Sequence, residues 1–251
     1  MKTAPTRRAV AAGTAILALS SLNACGAIGD LVPGSNAFVE QGPRKVAEAG
    51  FDEMRDLTSI RVLGSMEDKR FGFTRIDIKL DDTNCTGTLD TAEGSIRVTQ
   101  TADGAWFSAD EDFWQATIGV QSPQADRLIR KYAGNWSSIG KDDKKILGLC
   151  DLENYRGSFT LDKTDTDDTL KMGEVVEVGD TDAVPITGRD GKELVTVWIG
   201  VDAPHRVLKI APARDTGRED ALYFEEFGLD VVVKTPAKKD IVVLPQGQSP
   251  V

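Results

Sequence analysis

The stretch CTGTLDTAEGSIRVTQTADGAWFSA, residues 85–109, decides the fold. It holds three short runs, Cys85–Asp90, Ser95–Thr101 and Ala105–Ala109, each strand-length and bounded by turn residues. Thr91-Ala92-Glu93-Gly94 and Asp103-Gly104 divide them. An Asp-Gly pair between such runs signals a hairpin, because both residues tolerate positive φ. Turns this short can join only antiparallel neighbours, so the stretch reads as a β-meander. Gly87, Gly94 and Gly104 are expected to leave space or permit bending along it.

Upstream, Ile60 and Val62 alternate with Arg61, and Ile76, Ile78 and Leu80 alternate with Asp77 and Lys79, across a turn-like Glu67-Asp68-Lys69-Arg70. Before them Pro43 suits a first helical position, and Val46, Ala47, Gly50, Met54 and Leu57 recur at helical spacing. Downstream, Asp110-Glu111-Asp112-Phe113-Trp114 opens one helical stretch. Ser122-Pro123 opens another, with Leu128, Ile129 and Tyr132 on one side. Residues 133–160 mix helix and loop. The β pattern resumes in Glu174–Val178, Ala183–Thr187, Leu194–Gly200, Arg206–Ala211 and Ala221–Phe227. Two antiparallel sets flanking a helical insertion predict an α+β fold, a single curved sheet with helices on one face.

The 251-residue chain carries a formal charge of −10 with a single histidine. An acidic surface disfavours nucleic acid and gives no general attraction to anionic headgroups, so membrane contact calls for an anchor other than charge. One histidine removes most His-based catalysis and multi-His metal sites. Lys2, Arg7 and Arg8 precede Ala9–Leu22, an apolar run too short to span a bilayer, and Leu22-Asn23-Ala24-Cys25 follows. This ending resembles a bacterial lipobox. The resemblance implies that residues 1–24 are a signal peptide and that Cys25 becomes an N-terminus carrying diacylglycerol and palmitate-type acyl chains. The mature chain would then sit on the outer face of the cytoplasmic membrane. Thr6-Arg7-Arg8 suits twin-arginine export as well as the general pathway. Residues 25–42 read as a tether, 43–245 as the domain and 246–251 as a tail. With Cys25 acylated, Cys85 and Cys150 remain, an even pair in an oxidising compartment that suggests a disulfide. A redox or metal pair is the alternative, but CxxC spacing and a neighbouring histidine are absent.

Other constellations are weak. Gly134 to Lys141 has five residues between its glycines and Asp142 where a phosphate loop needs Ser or Thr. Asp162, Asp165, Asp167 and Asp168 lack the turn glycine and terminal Glu of a calcium loop. His205 reads as a solvent-facing turn residue, and Asp110, Glu111 and Asp112 as helix-start acids. No metal, cofactor or catalytic group is expected.

Leu57-Thr58-Ser59-Ile60 after the first helix, the Gly87–Trp106 meander, Val195-Thr196-Val197-Trp198-Ile199, His205-Arg206-Val207-Leu208-Lys209-Ile210 and the closing Phe224–Pro236 segment together resemble the LppX/LprG family of actinobacterial lipoproteins. The resemblance implies an open antiparallel half-barrel, similar to LolA and LolB carriers, with helices over its concave face. It also implies a non-enzymatic role in binding lipid or glycolipid. Phe113, Trp114, Ile118, Leu128, Ile129 and Tyr132 would then line the site, or would simply be core. The competing expectation is a sensor or protein-interaction module using the half-barrel as scaffold.

Overall fold

The computed structural model describes residues 36–68, 72–119, 122–140, 143–213 and 220–244. The expected signal segment, Cys25, most of the tether and the C-terminal tail lie outside them. The helix at Pro43 is α1 (Pro43–Arg55), which buries Val46, Ala47, Gly50, Phe51 and Met54. The folded unit starts before it, at Asn36 instead of Pro43. Phe38, expected in the tether, is buried, and a 3-10 turn (Val39–Gln41) leads into α1. Sheet, core and disulfide all lie within residues 36–251.

Among the described residues twelve strands form one antiparallel sheet. The first set is β1 (Ser59–Asp68), β2 (Gly72–Asp81), β3 (Cys85–Thr91), β4 (Gly94–Thr101) and β5 (Gly104–Ala109), with the short β6 (Ser137–Ser138) beyond it. The second is β7 (Lys171–Met172), β8 (Val176–Val178), β9 (Thr181–Asp190), β10 (Glu193–Gly200), β11 (Val207–Pro212) and β12 (Ala221–Glu225). The order is β6-β5-β4-β3-β2-β1-β12-β11-β10-β9-β7, with β8 also on β9. Pairing of β1 with β12 fuses the two sets into one curved, open half-barrel.

Register explains which face is apolar. Val62 lies opposite Ile78, Leu89 opposite Ile96 and Val98 opposite Phe107, so alternate apolar residues share the face toward the helices. On that face sit α1, α2 (Glu111–Ile118), α3 (Pro123–Tyr132), α4 (Lys144–Leu149) and α5 (Leu152–Ser158). Asp110 caps α2 by accepting from Phe113 N–H at 2.9 Å, and its second oxygen accepts from Ser95 N–H of β4 at 2.8 Å. Ser122 accepts from Ala125 N–H at 3.1 Å and starts α3, with Pro123 at the first helical position.

Two expectations about glycines change. The β4–β5 hairpin turns on Ala102 and Asp103, and the positive φ falls on Gly104, at 150°. Gly87 does not leave space: a Cβ there would lie 2.4 Å from the Asp77 carbonyl oxygen, so the glycine lets β2 and β3 approach closely. The last strand ends at Glu225, and residues 229–244 run as a strap without strand structure. Gly228 N–H donates to the Ser59 carbonyl at 3.1 Å, Thr235 lies beside Thr101 and Asp103, and Trp136 exchanges backbone bonds with Asp240 and Val242. The strap thereby covers the β6 edge with a parallel bridge from Trp136 to Ile241.

Candidate functional site

Cys85, the first residue of β3, is joined to Cys150 at the end of α4 with a Cα–Cα distance of 5.4 Å. The bridge staples the helical insertion to the meander. Around it the insertion is tightly held. Arg156 of α5 donates from Nε to the Leu57 carbonyl at 2.7 Å and pairs with Asp82 at 2.8 Å, tying the helix to both neighbouring strand ends.

The helical residues expected to line a site divide into two groups. Phe113, Trp114, Ile129 and Tyr132 are buried. Trp114 packs against Phe107 of β5, Phe113 and Tyr132 with ring centroids 6.2, 5.8 and 5.3 Å apart, which makes this half of the inner face an aromatic core. Ile118 packs partly buried against that core. Leu128 does not pack against it; it is 36% exposed on the flank of α3. Ile129 also reaches the floor of an open, largely polar cleft between α2 and α3, lined by Glu111, Gln115, Asp126 and Arg130.

A recess lies instead on the other half of the sheet, between α1, the segment after α5 and β9–β11. Phe51, Phe159, Leu161, Leu170, Val195, Val197 and Ile210 share its lining with Ser158, Thr160, Asp165, Arg189 and Asp190, around a volume of about 140 Å³. Phe159 braces it, edge-on to Phe224 at 5.4 Å and tilted against Phe51 at 5.7 Å. Val195 and Ile210 also floor a wider, open trough of about 700 Å³ between the ends of β1, β10, β11 and β12. Met66, Ala211 and Leu222 continue its floor, with Glu67, Glu193 and Asp220 among its other lining residues. The same apolar stripe of β10 and β11 thus runs from a covered recess to an open mouth. Periodicity marked these valines and isoleucines as strand core; helices α2 to α5 leave their outer ends uncovered, which hydrophobic pattern alone does not show.

His205 departs from expectation. Its ring stacks on Phe38 with centroids 3.6 Å apart, and Nδ1–H donates to the Gly200 carbonyl at 3.1 Å. The histidine holds the start of the folded unit to the β10–β11 turn. On the outer face Arg61 forms a two-pronged pair with Asp77, at 2.8 and 2.7 Å, and reaches Glu226 at 2.9 Å, while Lys79 reaches Glu226 at 2.6 Å. The Arg61 guanidinium holds the Asp77 carboxyl below the usual carboxylate range, and Lys79 and Arg61 do the same for Glu226. Burial pushes the Tyr155 hydroxyl up to about 12, and its proton is donated to the Leu149 carbonyl. Among the described residues no group of three or more His, Cys, Asp or Glu side chains is placed to hold a metal ion, and no helix is long and apolar enough to cross a membrane.

No family model and no curated protein matches the chain in sequence. Solved structures do match in fold. LprF from Mycobacterium bovis superposes with a TM-score of 0.52 at 10% identity, over 78% of this chain and 97% of its own. Weaker likenesses are an uncharacterized conserved protein from Thermus thermophilus (TM-score 0.37, 10% identity, 80% and 98% covered) and MucB (0.33, 13%, 78% and 61%). The chain therefore has the half-barrel fold of LprF.

Proposed function

We propose that this chain is a lipid-anchored extracytoplasmic protein that binds a hydrophobic molecule, a lipid or glycolipid, along the β10–β11 stripe. One observation carries the reading: Val195 and Ile210 floor both the recess and the wider trough, so an acyl chain can lie along the apolar floor of the trough with its end in the recess. The glutamates and aspartate lining the trough suit a polar or hydroxylated headgroup better than an anionic one. The LprF fold supports a non-enzymatic role, and the signal segment with Cys25 supports the membrane anchor. The test is uptake of a fluorescent monoacylglycerol, whose headgroup is uncharged and hydroxylated. Val195→Trp, which fills the junction, should abolish uptake while the thermal transition persists; undiminished uptake would refute the site. Metabolic labelling with a clickable fatty acid tests the anchor: Cys25→Ser should lose the label, and an unlabelled wild-type chain would end that part of the reading.

A second reading is favoured by the recess itself. Its 140 Å³ lies below the roughly 300–1,000 Å³ of ordinary ligand pockets, which suits a scaffold that binds a protein. Wild-type chain that takes up no lipid would put that reading first.

A further inference from the structure

Helix α3 presents a face that the chain's overall charge conceals. Ala125, Ile129 and Tyr132 point into the core, so at about 100° per residue the outward pole of the helix falls on Arg127, Arg130 and Lys131. All three are exposed, and Arg127 and Arg130 make no ion pair with any described residue. Arg130 and Lys131 in the last turn complement the helix dipole, but Arg127 stands in the middle of the helix, where the dipole asks for nothing. Leu128, partly exposed, lies beside Lys131 at the edge of this face.

We infer that the outward face of α3, Arg127, Arg130 and Lys131 with Leu128, docks this domain on an anionic lipid surface. Charge complementarity selects the occupant. In a chain of net charge −10, Arg127, Arg130 and Lys131 share one exposed helix face with a single carboxylate of that helix, Asp126, at its edge, which leaves the face locally basic. Each cation gains near an anionic bilayer, and Leu128 enters the headgroup boundary. The repulsion of the acidic remainder then orients the domain, with α3 toward the bilayer. This inference stands independently of the lipid-binding recess, which lies on the other half of the sheet.

The test is co-sedimentation of the unit from Asn36 onward with vesicles of phosphatidylcholine alone or with roughly 30% phosphatidylglycerol, the anionic fraction supplying the surface potential. The wild-type unit should bind only the phosphatidylglycerol vesicles and should release in high salt. Arg127→Glu with Arg130→Glu and Lys131→Glu should weaken binding on the order of tenfold or more. Lys163→Glu with Lys171→Glu and Lys192→Glu changes the net charge equally at other exposed positions and should leave most binding intact. Wild-type protein that ignores phosphatidylglycerol, or equal losses in the two triple variants, would overturn the assignment.

Discussion

At the scale of single residues, the structure makes definite demands on a few side chains. Asp77 is held below its ordinary pKa by Arg61, so the pair stabilises the fold above about pH 4, the unfolded carboxylate value, and its contribution disappears as pH falls through the lowered folded value. Asp77→Asn should flatten that part of the acid limb in urea melts recorded from pH 5 to 2; an unchanged limb would mean that the pair is energetically silent. Tyr155 runs the other way. Its neutral form is favoured by burial, so stability present below about pH 10 should be lost as pH rises toward 12, and Tyr155→Phe should remove that alkaline slope in the same kind of melt. Trp114 is almost fully enclosed by aromatic rings, and Trp114→Ala should cost about 3–5 kcal/mol in denaturant unfolding. A loss under about 1 kcal/mol would show that the space around it is loose enough to accept a ligand.

Between elements, the bond from Cys85 to Cys150 decides how the helical insertion is held. The bridge spans 65 residues of sequence, and its removal by Cys85→Ser with Cys150→Ser should cost about 2–5 kcal/mol, read as a lower denaturation midpoint. A midpoint equal to that of the wild type would mean that Arg156 and the aromatic core hold the insertion without it. Much of this level was legible beforehand. The alternation at Ile60, Val62, Ile76, Ile78 and Leu80, the Pro43 and Ser122-Pro123 helix starts and the cysteine parity each reflect local or compositional physics that a single chain displays. Other features depend on distant partners. Phe38 looks like tether until it meets His205, and Gly87 looks like slack until β2 presses against it. Leu128 fits the inward stripe of α3 by spacing, but burial of Ala125, Ile129 and Tyr132 centres that stripe elsewhere and leaves Leu128 on the flank, partly exposed. The recess was invisible for the same reason, because strand residues read as core wherever they lie, and only the reach of the covering helices leaves some of them open.

Taken as a whole, the molecule divides its inner face in two. One half, over β3–β5, is filled by Phe107, Phe113, Trp114 and Tyr132 and tied by the disulfide; the other, over β9–β11, is roofed by α1 and opens at the strand ends. A filled half supplies rigidity, which allows the other to stay incompletely packed without losing the fold. On the function proposed above, that asymmetry assigns the hydrophobic ligand to β10 and β11 and not to the space beneath α2 and α3. Photo-crosslinking with a diazirine-bearing monoacylglycerol, followed by peptide mapping, checks this placement. Label should concentrate in peptides spanning residues 193–212, with α1 and the segment after α5 next; label concentrated in residues 107–132 would contradict it.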